Sequence, residues 1–271
     1  MSENTMSYET IRGLAEELEQ AEQQRLQIEQ FSARFPDMTI EDSYAIQRAW
    51  VQQKVRGGRK IVGHKIGLTS RAMQLASKIE EPDYGALLDN MLLEDGAIID
   101  SSAYIVPRIE AEFAFVLAES LSGPDVTLEQ VVAATEYVVP ALELIDARTE
   151  IFDRNTGKNR KVLDTIADNA ANAAIIVGTE RRAPNDVDWR WAGALIYKND
   201  VVEESGLGGA VLDHPATGVA WLANKLAPYG ETLEAGEIVL GGSFVRPIPC
   251  AAGDVICADY GPLGEIRVKF V

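Results

Sequence analysis

At 271 residues, with 46% hydrophobic and 25% charged side chains, the chain has the composition of a folded globular protein and the length for a substantial core, in one large domain or two smaller ones. Asp and Glu number 42 against 25 Lys and Arg, and the net charge of -17 excludes nucleic acid and anionic membrane as partners for any broad face. An anionic substrate is admitted only where local cations, a metal ion or clustered Arg and Lys, offset that field.

The first thirty residues are rich in Glu and Gln, without an apolar core after a basic start, and no apolar run of membrane-spanning length follows. The expectation is a soluble, unexported, cytoplasmic protein. Leu14, Leu18, Leu26 and Ile28 space an amphipathic helix over residues 8–35. Thr39, just ahead of Glu41 and Asp42, caps a second helix whose apolar face holds Ala45, Ile46, Ala49 and Trp50 and which ends near Gly57 and Gly58. Ile61, Val62, Ile66 and Leu68 then form a short β run containing Lys65, and Ser70 opens a helix through Met73 and Ile79.

From Ile98 onward β-rich segments recur, at 109–118, 138–147, 173–177, 192–197, 238–240, 254–258 and 266–271. Among them Thr127 with Gln130 starts a helix, Asn199 and Asp200 turn a hairpin, and Pro215 begins a helix that closes near Gly230. The organisation expected is α+β, with an N-terminal helical arm at 1–58 and one compact body at 59–271. Cys250 and Cys257 are too few for a disulfide scaffold and read as reduced core thiols.

The segment Ile109 to Leu117 carries the most chemistry. A strand alternates its side chains, so Glu110 and Glu112 share one face with Ala114 and Val116, while Ile109, Ala111, Phe113, Phe115 and Leu117 take the other. Two carboxylates side by side at the end of a buried strand repel unless a cation lies between them. A solvated strand end with two surface glutamates is the plainer alternative. Glu143, alone in the apolar run Val138 to Ile145, adds a third carboxylate, and three such oxygen donors suit a hard octahedral cation, Mg²⁺ or Mn²⁺. With only His64 and His214 in the chain, a His-rich zinc site is excluded.

Lys65 in its apolar strand is the candidate acid or base, with a pKa expected to fall beside a cation; a lysine snorkelling from an edge strand is the alternative. Asp83 taken alone reads as a turn residue.

These motifs together resemble the 2-oxo-hept-4-ene-1,7-dioate hydratases, grouped with 2-hydroxypentadienoate hydratases and 4-oxalocrotonate decarboxylases in the fumarylacetoacetase-like superfamily. The resemblance runs from about Met38 to the C-terminus. It rests on residues 63–70 (GHKIGLTS), 81–85 (EPDYG), the Glu110/Glu112 strand, 140–146 (PALELID), 164–172 (DTIADNAAN) and 241–243 (GGS).

It implies a mixed β-sheet roll like the fumarylacetoacetase C-terminal domain, with N-terminal helices. It also implies Glu110, Glu112 and Glu143 as ligands of Mg²⁺ (or Mn²⁺), Lys65 and Asp83 as the acid/base pair, and substrate contacts at Thr69, Leu87, Asp168, Asn169 and Ser243. The implied reaction is hydration of 2-hydroxyhepta-2,4-diene-1,7-dioate in homoprotocatechuate catabolism. Decarboxylation of a 4-oxalocrotonate and hydration of 2-hydroxypenta-2,4-dienoate are the alternatives, and Asp83 favours hydration. The partners implied are a small dicarboxylate and other copies of the chain, in a pentamer or decamer. His64 departs from the pattern, since an aromatic residue precedes the lysine in relatives. Arg108, Arg154, Arg160 and Arg246 are candidate cations for a distal carboxylate.

Overall fold

The computed structural model describes residues 5–271, apart from the side chain of Ala76, so the first four residues of the expected arm lie outside the described residues. Three helices lead the chain: α1 (Tyr8–Gln24), α2 (Phe31–Arg34) and α3 (Ile40–Arg56). The remainder runs β1 (Ile61–Gly67), α4 (Arg71–Ser77), β2 (Asp83–Leu88), β3 (Leu92–Glu94), β4 (Ile98–Ile99), β5 (Arg108–Leu117), α5 (Leu128–Ala134), β6 (Thr135–Ile145), α6 (Val162–Ala167) and β7 (Asn172–Val177). It closes with β8 (Gly193–Lys198), β9 (Val201–Leu207), α7 (Pro215–Leu226), β10 (Ile238–Leu240), β11 (Ile248–Pro249), β12 (Val255–Asp259) and β13 (Glu265–Phe270).

The single helix expected over 8–35 is two. Arg25 takes a left-handed conformation and its N–H closes the last turn of α1. The chain then extends so that Ile28 exchanges backbone hydrogen bonds with Arg148 and Glu150, both 2.9 Å. Pairing with the body outweighs helix propensity here, because it satisfies buried backbone groups on both segments. Around α3 the capping signal is realised: Thr39 Oγ1 accepts from Asp42 N, and the Asp42 carboxylate accepts from Thr39 N. Ile11, Leu14, Leu18, Phe31, Ile46 and Trp50 pack together and against Ala167 of α6.

Two sheets make the body. The larger has strand order β2-β1-β10-β5-β6-β7-β3, with β11 added to β5, and the smaller has order β4-β13-β12-β8-β9. One face of the large sheet, through Ile109, Ala111, Phe113, Phe115 and Leu117, enters the main core, where it meets α7 and the small sheet through Val219, Ile256, Val268 and Phe270. The opposite face collects Leu87, Ala114, Val139, Ala141, Ile175 and Leu240. Leu87 and Ile175 sit on strands far apart in the sheet order, so the sheet curls over this second face into a roll. Strand β2 and helix α6 were not anticipated; β2 is buried along its whole length, which erases the alternation that marks a strand.

Candidate active site

The register of the large sheet decides which side chains line the inside of the roll. Glu110 pairs with Glu143, Glu112 with Ala141 and Ala114 with Leu240, while Leu240 also pairs with Lys65. On β2, Asp83 pairs with Gly67 and Gly85 with Lys65. Residues paired across a sheet point to the same face, so Lys65, Asp83, Glu110, Glu112, Glu143 and Leu87 all face inward.

Ligand oxygens of Glu110, Glu112 and Glu143 lie within 4.8 Å of one another. Glu112 and Glu143 are buried. Glu112 Oε2 accepts from Gly242 N at 2.8 Å, while neither Glu143 oxygen has a hydrogen-bond partner among the described residues. Burial above all holds the three carboxyls above their ordinary range, Glu110 at about 8; the charge of Glu143 adds to it at Glu110 and Glu112, whereas Lys65 and a hydrogen bond with Glu112 draw Glu143 back down. Three converging carboxylates, Glu110 partly buried and the other two buried, with a single backbone N–H among their partners, fit a hard divalent cation.

Lys65 Nζ lies 3.2 Å from Glu143 Oε1. Burial works against its ammonium, but Glu143 and then Asp83, Glu110 and Glu112 outweigh that, so its pKa stands above the ordinary lysine value. Four carboxylates thus offset the burial of the lysine, a balance that the lowering expected beside a cation did not include. Asp83 is buried with neither oxygen hydrogen-bonded among the described residues, and burial keeps its pKa raised against the pull of Lys65 and Arg160. The two groups converge over Gly67, where an added Cβ would stand 2.3 Å from Asp83 Oδ1 and 3.4 Å from Lys65 Nζ.

Thr69 is buried against Gly242, at a φ of +122° where only glycine is at ease. Ser243 Oγ donates to Val245 O at 2.8 Å. Leu87 forms part of the apolar floor. Asn169 grips β2: its Oδ1 accepts from Ala86 N and its Nδ2 donates to Ala86 O. An added Cβ at Gly85 would stand 2.4 Å from the carbonyl oxygen of Asn169. Asp168 is committed to Arg148, which reaches it through Nε at 2.5 Å and backbone N at 2.8 Å.

His64, adjacent to Lys65 in the strand, faces the other way, with Nδ1 3.4 Å from Glu237 Oε2. Of the four arginines, Arg154 pairs with Glu150 and the exposed Arg246 with Glu204. Arg160 stands 3.7 Å from Asp168, and Arg108 shares the inward face two residues before Glu110. A separate open cavity of about 1030 Å³ lies away from the carboxylates, lined by Trp191, Leu195, Leu207 and Leu263.

No family model matches the chain. It is 57% identical over 258 residues to the 2-oxo-hept-4-ene-1,7-dioate hydratase of Escherichia coli, covering 95% of this chain and 97% of the relative. The solved 4-oxalocrotonate decarboxylase from Pseudomonas putida G7, complexed with magnesium and adipate, has a TM-score of 0.94 at 38% identity, covering 99% of this chain and 100% of that one. Fumarylpyruvate hydrolase from Pseudomonas aeruginosa, in complex with Mn²⁺ and pyruvate, shares the fold at a TM-score of 0.57 and 15% identity, over 77% and 88% of the two chains.

Proposed function

Because the chain belongs to the family of 2-oxo-hept-4-ene-1,7-dioate hydratases and 4-oxalocrotonate decarboxylases, we propose that it hydrates 2-hydroxyhepta-2,4-diene-1,7-dioate to 4-hydroxy-2-oxoheptanedioate with Mg²⁺. The observation that carries this reading is the position of Lys65, between Glu143 and a buried Asp83 whose oxygens have no hydrogen-bond partner among the described residues. The greater identity to the hydratase supports hydration over decarboxylation.

Glu110, Glu112 and Glu143 would hold the cation, which when bound supplies Lewis-acid polarisation of the substrate oxygen at C2. The rest falls to the side chains. Lys65 keeps its proton through Glu143 and Asp83, and gives it up more readily once the carboxylates are otherwise engaged. That proton goes to C5 while the C2 hydroxyl proton returns to the Lys65 amine, producing a 2-oxo-3-enoate with an electrophilic C4. Asp83 then takes a proton from the water that adds at C4 and passes it to C3, which restores both groups. The apolar floor of Leu87, Ala114 and Leu240 keeps bulk water from the diene. Thr69 and Ser243 contact the substrate, whereas Asp168 and Asn169 act through Arg148 and β2, which they hold in place.

Assembly into a homo-oligomer is supported by the exposed apolar side chains of Leu195, Val202 and Leu207 on one face of β8 and β9, with Trp191 exposed in the loop before them.

The mechanism is tested by turnover in D₂O with NMR of the product. One deuterium at C5 in a single configuration is expected; a product without C5 label would rule out protonation there.

A further inference from the structure

Two buried guanidinium groups share one carboxylate beside the acid/base pair. Arg148, fully buried, takes Asp168 through Nε and its own backbone N–H, and donates from its two terminal nitrogens to the carbonyls of Asp168 and Asn172 at 2.8 and 3.0 Å. Asp168 is thereby neutralised. Arg160, its side chain only 16% exposed, reaches Asp168 Oδ2 at 3.7 Å and Thr149 Oγ1 at 3.5 Å, both long contacts. Nearby Asp164 is occupied by Ser32 and the backbone N–H of Lys161. The two guanidiniums thus stand among the buried carboxylates Asp168, Asp164 and Asp83, with most of the Arg160 fork unengaged by any of them. In a chain of net charge -17 a guanidinium with open donors is well suited to an anion that arrives and leaves.

Position narrows the choice among arginines. The carboxylate cluster lies on β5 and β6, and the Lys65/Asp83 pair lies across β10 on β1 and β2. After Lys65, Arg160 is the cation acting most strongly on Asp83. Arg108 stands at the cluster end, its neighbours in the sheet being Ile145 and Pro249. Arg160 contacts Asp168, whose neighbour Asn169 grips Ala86 of β2, so with the C1 end of a substrate at the cluster and C4 and C5 at the pair, Arg160 is the arginine on the β2 side for the rest of the substrate.

We propose that Arg160 receives the second carboxylate of a dicarboxylate substrate and so sets the preference for seven-carbon diacids over the five-carbon monoacid, an inference that rests on the hydratase reading above. A planar guanidinium matches a carboxylate in two-point geometry, and Thr149 and Asp168 hold it at the pocket wall.

The test compares the wild-type enzyme with Arg160→Met, Arg160→Lys and Arg108→Met, loaded with Mg²⁺, on 2-hydroxyhepta-2,4-diene-1,7-dioate and on 2-hydroxypenta-2,4-dienoate. For Arg160→Met, kcat/KM on the diacid should fall on the order of a hundredfold, mostly through KM, while the monoacid changes far less. Arg160→Lys should recover part of the loss. Calorimetric binding of heptanedioate, which has nothing to hydrate, should weaken in parallel. An equal loss on both substrates in Arg160→Met, or a diacid-selective loss in Arg108→Met instead, would overturn the assignment. A wild-type enzyme that hydrates neither compound would overturn the hydratase reading, and the subsite would then stand or fall on heptanedioate binding. Selective loss of heptanedioate binding in folded Arg160→Met separates a failure of the chemistry from a failure of the subsite.

Discussion

At the scale of single residues, the inward-facing charges account for the behaviour expected of the site. Lys65→Ala should lower kcat about 10²–10⁴-fold, the usual span for a lost general acid, while Mg²⁺ binding measured by calorimetry persists. Near-normal turnover would remove Lys65 from the mechanism. Gly67→Ala should be almost as damaging, because the new methyl group must displace the Asp83 carboxylate, yet Mg²⁺ affinity should hold. The pH dependence follows from the carboxylates. Their pKa values are raised in the folded protein, so the native state holds protons that the unfolded chain has lost. Metal-free stability should therefore fall as pH rises from 4.5 toward about 8, the span between the ordinary and the folded value for Glu110. The raised pKa of Lys65 acts only above this window. Thermal unfolding at pH 5 and pH 8 should show the decline, flattened in Glu110→Gln and reversed at the upper pH by Mg²⁺. A metal-free protein equally stable at both would contradict the picture of three repelling carboxylates.

At the scale of elements, legibility in the sequence followed burial. The Glu110/Glu112 face of β5 could be assigned because alternation survives where a strand has two chemically different faces. The caps of α3, α5 and α7 were equally plain, since Thr39, Thr127 and Pro215 act locally. Asp83 read as a turn because β2 is short, contains Gly85 and is buried throughout. No local signal marked Asn169, Ala170 and Ala171, three consecutive residues at positive φ. Their left-handed backbone is imposed by tertiary contacts, Asn169 on Ala86 and Arg148 around Asp168. The surroundings of Lys65 were half legible for a related reason: sequence placed the lysine near a cation site, but only the sheet register reveals how many carboxylates face it. Arg148→Met, which leaves Asp168 buried beside a single distant cation, should cost about 3–5 kcal/mol, read as a lowered denaturation midpoint. A change within the range of ordinary surface substitutions would show that Arg148 does not hold this corner of the roll.

At the scale of the whole molecule, the α+β roll with N-terminal helices is the fold observed, shared with the decarboxylase and more distantly with the fumarylpyruvate hydrolase. Strand β9 is an edge of the small sheet, and the apolar side chains it shares with β8 would be a liability left uncovered. Trp191→Glu should shift the mass seen by light scattering toward smaller species; an unchanged mass would remove this strip from the interface. The claim on which all else depends is the reaction. The direct measurement follows the diene chromophore of 2-hydroxyhepta-2,4-diene-1,7-dioate with purified protein and Mg²⁺, and weighs the product by mass spectrometry. Loss of the chromophore with gain of one water, abolished by a chelator, is the result expected. An unaltered diene here, with CO₂ released from a 4-oxalocrotonate instead, would contradict it.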